Sequence, residues 1–266
     1  MDGDGQKAGV GTWLLRLLVG AVLVFLIAPV IIIVVTSFSG STLMSFPPRT
    51  WGLGWYRRFL LNPDWQRAIW VTLQVAPLAT LMATVIGFFA SLALIRGKFR
   101  GKTAVYGFLL TPMIVPVIIS ALAFYLAFAK AGATGSIFAM ALGHAVLALP
   151  LVIIVLTSSL QGLDDCFERA ALSLGAGRFY TLRRITLPLA MPGLISAALF
   201  AFLFSFDELL VSLFLAGAKV QTLTVRIWNS LQLDVDPTIA AVSTFLIAVT
   251  VLALVANALI RRSNET

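Results

Sequence analysis

Apolar residues run in long blocks along this chain, with the polar residues gathered between them. Six blocks reach the roughly 20 residues that a helix needs to cross a hydrocarbon layer of about 30 Å. They cover approximately 13–37, 67–95, 104–129, 137–160, 190–216 and 239–260. The pattern predicts an all-α integral membrane protein with six spanning helices, organised as one domain over residues 1–266. The first block holds an uncharged run from Leu17 to Val35, too long for the core of a cleaved export signal and not followed by a small-residue cleavage site, so it reads as a retained helix. Pro29, Pro77, Pro112, Pro116 and Pro150 fall inside blocks, where proline bends a helix and neighbours can satisfy the freed carbonyls. There is no internal repeat, no low-complexity tract and no sign of a second, soluble domain.

The connections set the orientation, because lysine and arginine collect on the cytoplasmic side. With the N-terminus inside, that side receives Lys7, Arg16, "RGKFRGK" (Arg96 to Lys102), Arg169, Arg178, Arg183, Arg184, Arg261 and Arg262. The other side receives Arg49, Arg57, Arg58, Arg67, Lys130, Lys219 and Arg226. The bias places both termini in the cytoplasm. An external stretch, "FPPRTWGLGWYRRFLLNPDWQRAIW", is rich in tryptophan, tyrosine and arginine, and predicts a helix lying at headgroup level.

Composition agrees with this layout: 60% of residues are hydrophobic and only 11% charged. The net charge of +8 sits in short clusters between apolar runs, which is membrane topology and not a nucleic-acid surface. A single cysteine, Cys166, rules out an intrachain disulfide and a cysteine metal site. With His144 the single histidine, a zinc hydrolase has too few ligands.

The most distinctive connection, residues 161–189, contains "CFERAALSLGAGRFYTLRRITLP", Cys166 to Pro188. Asp165 can cap a helix and Glu168, three residues on, can complete a capping box. Phe167, Ala170, Ala171 and Leu174 recur at helical spacing as one apolar stripe, and Gly175 stands where a helix stops. A second short amphipathic helix follows, with Phe179, Leu182 and Ile185 on one side, and Pro188 ends it. The two alanines permit close approach of another protein surface. A helix made to sink into lipid would carry bulkier side chains.

These residues resemble the cytoplasmic EAA loop of ABC-importer permeases: two alanines, three residues, glycine, nine residues, isoleucine, one residue, Leu-Pro. Ala170, Ala171, Gly175, Ile185, Leu187 and Pro188 keep that spacing throughout. Arg169 stands where the family has glutamate, and Glu168 lies one residue early. The resemblance implies the type I importer fold, with a coupling helix seated in a cleft of a cytoplasmic ATPase and Glu168, Arg169, Ala170, Ala171, Leu174 and Gly175 as the coupling residues. It also implies that ATP and Mg bind in that partner and that this chain carries no cofactor. No G-x-x-x-x-G-K-[ST] occurs in the chain. The implied partners are a homologous second permease subunit, an ATPase dimer, a periplasmic or extracellular substrate-binding protein and the bilayer of the bacterial cytoplasmic (inner) membrane. "GHAVLALPLVI", "FSFDELLVSLFLAG" and "LTVRIWNSLQLDVDPTIAAVST" further resemble the second permease subunits of spermidine/putrescine importers, with relatives that carry 4-aminobutyrate, opines or other amino compounds.

Asp207 and Glu208 are the only acidic residues inside any expected span, where an ionisable group costs about 2.5 to 3.5 kcal/mol. On a continuous helix Ser205, Glu208 and Ser212 share a face and Asp207 points elsewhere. Ser205, Asp207, Glu208, Ser212 and Tyr125 are therefore the candidate substrate path for a cation, with aromatic faces adding cation-π contacts. The competing reading pairs the acids with a basic residue of a partner. His144 reads as a packing histidine or, alternatively, as a proton or substrate ligand. Gln74 and Asn257 read as hydrogen-bonding residues between helices. An intramembrane enzyme is a rival function, but no GxSxG or HExxH accompanies the single histidine. A channel-like or purely structural subunit would not need the gapped loop.

Overall fold

A computed structural model describes residues 10–41, 45–217, 220–233 and 237–265. Lys7 and Lys219, both counted above for orientation, lie outside the described residues. The helices are α1 (Val10–Ser37), α2 (Gly54–Leu61), α3 (Pro63–Arg96), α4 (Lys102–Ile114), α5 (Val117–Lys130), α6 (Ile137–Gln161), α7 (Cys166–Ser173), α8 (Arg178–Thr181), α9 (Leu187–Asp207), α10 (Leu210–Leu215), α11 (Leu223–Leu233) and α12 (Thr238–Glu265). Among the described residues the one extended pairing is an isolated bridge between Ser39 and Trp51. Among the described residues the fold is all-α.

Among the described residues five helices are long and apolar enough to cross a membrane, and α4 with α5 makes a sixth if that bent pair is one span. The sequence predicts a single helix over 104–129. The chain instead turns by 97° between α4 and α5. Val115 is extended (φ −72°, ψ 130°) because the ring of Pro116 disfavours helical geometry in the residue before it. Pro29, Pro77, Pro112 and Pro150 stay inside their helices, as expected in a bilayer.

Two further boundaries differ from the expectation. Pro188 does not end the second short helix. From Arg178 the chain passes through a π-helical turn, Leu182–Thr186, directly into α9, so that Arg178–Asp207 is one apolar span. Pro188 lacks an N–H and its ring crowds the preceding turn, and the widened turn just before it relieves both problems. At the other end α9 stops at Asp207, inside what reads as a continuous block over 190–216, and Glu208 is extended (φ −71°, ψ 113°).

The contacts divide the chain into two compact units. One contains the described residues of Met1–Asn62 with Ser230–Ala248. In it the aromatic stretch forms α2 with Trp55 and Phe59 buried, the Tyr56 hydroxyl lies 2.7 Å from Ser37 Oγ, and the Phe59 and Phe245 rings pack at 5.6 Å. The other contains Pro63–Asn229 and Val249–Thr266, and its core is α3, α6 and α9. Their contact faces are lined by small residues, including Ala79, Ala83, Ala145, Ala148, Ala197 and Ala201. A Cβ added at Gly87 would collide with Val152, and one at Gly193 with Ser159. Lipid is as apolar as leucine, so helices in a bilayer gain by close van der Waals fit, and these glycines and alanines allow that approach.

Candidate functional site

Two sites in the larger unit hold the residues singled out by the sequence. The first is the loop carrying α7. Asp165 has helical geometry (φ −75°, ψ −2°) and makes no capping bond. Its carboxylate pairs with Arg169 one turn on at 2.7 Å, so the capping box does not form. Asp164 takes over the helix start by accepting the Cys166 N–H at 2.9 Å. That bond holds the Asp164 carboxyl below its ordinary pKa, and hydrogen bonding to Asp164 raises the pKa of the Cys166 thiol.

Glu168 turns inward instead of back to the helix start. Its carboxylate receives Arg96 Nε of α3 at 3.2 Å and the Thr186 hydroxyl of the π-turn at 3.1 Å, while Arg96 Nη2 donates to Leu163 O at 3.0 Å. The loop is thus tied by one carboxylate to the end of α3 and to the lead-in of α9. Sequence reading missed this tie; the one available signal was a glutamate displaced by one position from the family pattern.

Gly175 ends α7 as expected. Its φ of +85° is the left-handed geometry that glycine adopts without penalty, and its N–H donates to Leu172 O while the Ala176 N–H reaches Ala171 O. The apolar stripe is open: Leu174 is 88% and Phe167 56% exposed, Ala170 is exposed and Ala171 half-buried. The loop is thus tied down at its polar end and bare along its apolar face.

The second site is the break between α9 and α10. Glu208 Oε1 accepts the Val211 N–H at 3.0 Å, so the side chain closes the first turn of α10, and its carbonyl accepts from Thr224 Oγ1 at 3.3 Å. Asp207 is exposed and forms no hydrogen bond or ion pair among the described residues. The expected shared face of Ser205, Glu208 and Ser212 is corrected, because helix periodicity does not run through an extended residue. The structure joins the two serines without the glutamate. His144 of α6 is fully buried, with Nδ1 2.8 Å from Ser205 Oγ and Nε2 2.9 Å from Ser212 Oγ. Either neutral tautomer is satisfied, since a hydroxyl both donates and accepts. The imidazole therefore staples the end of α9 to α10 across the gap. Tyr125 of α5 packs on the far end of α10, with its ring 6.5 Å from that of Phe214.

A serine hydroxyl on an imidazole nitrogen has the atoms of a hydrolytic dyad, yet Ser205, Ser212 and His144 are all closed off from solvent. Gln74 donates to the carbonyl of Trp70 in its own helix, and among the described residues it forms no bond to another helix. Asn257 Oδ1 is buried and has no hydrogen-bond partner in the described chain.

Comparison with known proteins agrees with these features. The spermidine/putrescine transport system permease protein PotC of Haemophilus influenzae is 33% identical over 242 residues, covering 91% of this chain and 93% of the relative. The putrescine transport system permease protein PotI of Escherichia coli K12 is 32% identical over 250 residues, covering 91% of this chain and 88% of the relative. A crystal structure of a bacterial ABC transporter involved in the import of the acidic polysaccharide alginate superposes over 100% of both chains with a TM-score of 0.77 at 16% identity, a likeness of fold. Residues 83–265, which include both sites, match the family of binding-protein-dependent transport system inner membrane components. The chain belongs to that family: it is a multi-pass transport subunit of the inner membrane, of the ABC-importer permease type.

Proposed function

We propose that this permease takes up polyamines such as spermidine or putrescine, or a closely related small amino compound, by alternating access driven by a separate ATPase. The observation that carries the cargo is the likeness to polyamine permeases over 91% of the chain, together with a spanning helix that opens at an acidic pair. At the break, Asp207 offers an exposed carboxylate to a cation losing its hydration, and the aromatic ring of Tyr125 lies against α10. Glu208 spends one oxygen on the Val211 N–H, so its share is partly structural.

In this reading α7 docks in the ATPase through Phe167, Ala170, Ala171 and Leu174, and both termini are cytoplasmic. ATP and Mg are held by the ATPase dimer, a homologous permease completes the pathway, and a binding protein delivers cargo from outside. Movement of the docked loop is passed through the Arg96–Glu168–Thr186 tie to α3 and α9 together, the two helices that pack on α6 and on each other. A loop joined only by backbone would absorb that displacement.

The test is uptake of labelled spermidine, putrescine and 4-aminobutyrate into vesicles holding the assembled complex. Asp207→Asn is expected to cut amine uptake at least tenfold with all subunits retained. Wild-type uptake by Asp207→Asn, Glu208→Gln and the double variant would remove the acids from the path. Preferential uptake of 4-aminobutyrate would reassign the cargo.

A further inference from the structure

Two adjoining cavities flank the junction of α3 with α8 and α9. One, of about 450 Å³, is an almost wholly apolar groove whose walls include Val85, Phe89, Leu182 and Leu194, with Arg183 at its margin. The next, of about 500 Å³, shares Phe89 and Leu182 with it and adds Arg178, Arg96 and Glu168. Arg96 is neutralised by Glu168, but Arg178 and Arg183 are exposed and have no ion pair or hydrogen bond among the described residues.

On α3 the apolar groove runs from Thr84 to Phe89, and the adjoining cavity continues along the same helix to Arg96, twelve residues and roughly 18 Å from Thr84 at about 1.5 Å per residue. Together they join an apolar slot to a more polar end that carries the unpaired Arg178, with Arg183 on the slot's own wall. An apolar slot bordered by unpaired cations is complementary to a molecule with a hydrocarbon tail and an anionic head. Guanidinium forks match phosphate oxygens, and basic pockets beside membrane helices take anionic headgroups in this way.

We propose that this groove is a binding site for an anionic phospholipid, with an acyl chain against Val85, Phe89 and Leu194 and the phosphate between Arg178 and Arg183. A lipid seated there packs against the same π-turn that receives Glu168, so it stiffens the joint between the loop and α9.

The experiment uses the complete purified complex, exchanged into phosphatidylcholine vesicles containing a minor share of phosphatidylglycerol. The complex is re-extracted mildly and its bound lipid counted by mass spectrometry. Wild type is expected to retain phosphatidylglycerol over phosphatidylcholine. Each arginine near an anionic surface is worth about fivefold, so R178Q/R183Q should lower that preference by about 25-fold. R100Q, which removes an exposed arginine away from the groove, should leave it unchanged. Val85→Trp fills the slot with the arginines intact and should also expel the lipid, and it carries the test if the double variant assembles poorly. Excess inorganic phosphate should not displace the lipid, because it offers nothing to the groove. Equal retention of both lipids by wild type, or unchanged preference in R178Q/R183Q and Val85→Trp, overturns the proposal. Unchanged lipid with loss of ATPase on co-purification assigns the arginines to the ATPase instead.

Discussion

Replacing His144 by leucine keeps most of the bulk in a closed site while deleting both nitrogens that bridge Ser205 and Ser212. Hydrogen bonds between membrane helices contribute about 0.6 kcal/mol on average and up to about 1.7, because a freed hydroxyl finds other partners. Ser205 can fall back on a carbonyl one turn earlier in α9. Ser212 stands too near the start of α10 to have a full helical turn behind it. The two bonds together should therefore be worth about 1–3 kcal/mol. The loss should be local, loosening α10 from α9 and misplacing Asp207 and Glu208 between them. The assay is a double-mutant cycle on the purified complex, following thermal unfolding in detergent with His144→Leu, Ser205→Ala, Ser212→Ala and the two pairwise combinations. A coupling of about 0.6–1.7 kcal/mol is expected for each histidine–serine pair, accompanied by reduced uptake with subunits still assembled. Strict additivity of the single changes, or undiminished uptake by His144→Leu, would refute the staple.

Other outcomes follow from the loop. Glu168→Gln deletes the charge that meets Arg96 and should weaken the tie by about 1.5–3 kcal/mol, the range for hydrogen bonds to charged groups. ATP hydrolysis should then persist while uptake falls, which parallel rate measurements would read. At Gly175 nothing lies within 4 Å of an added Cβ, so Gly175→Ala tests backbone geometry alone. The left-handed conformation costs a non-glycine residue about 1–2 kcal/mol, and ATPase co-purification should fall several-fold, with partial recovery in Gly175→Asn. Ala171→Arg places a charge on the docking stripe and should abolish that association. Because hydrogen bonding to Asp164 raises the Cys166 thiol pKa, less reactive thiolate is present near neutral pH than for a free cysteine. Asp164→Asn should speed maleimide labelling and move its pH profile to lower pH; identical profiles would remove Asp164 as the cause.

The positions of the membrane helices were legible from the chain alone, because a bilayer imposes length and apolarity on any helix that crosses it. So was the short loop helix: the stripe of Phe167, Ala170, Ala171 and Leu174, and the stop at Gly175, are local features that short-range geometry decides. Breaks within the apolar blocks were not legible in the same way. Hydropathy does not change at Val115, where Pro116 is the one local signal of the 97° turn, and the acidic pair at the end of α9 reads in the sequence as charge within a continuous span, not as a break. Pro188, read as a stop, is carried by a π-turn that the rest of the fold supports.

Partners distant in sequence escaped altogether. The carboxylate of Glu168, placed by its spacing in a capping box, is won by Arg96 and Thr186, since a half-buried ion pair offers more than a bond that water can replace at an exposed helix start. His144 finds its two serines 61 and 68 residues away, on either side of a break. Sequence determined which segments enter the membrane and which loop forms an exposed amphipathic helix, because lipid and local backbone geometry act on each segment separately. Which polar atoms meet inside that membrane was decided only by the packing of α3, α6 and α9, because their small residues set how closely the helices approach, and with it where each buried donor and acceptor must find its match.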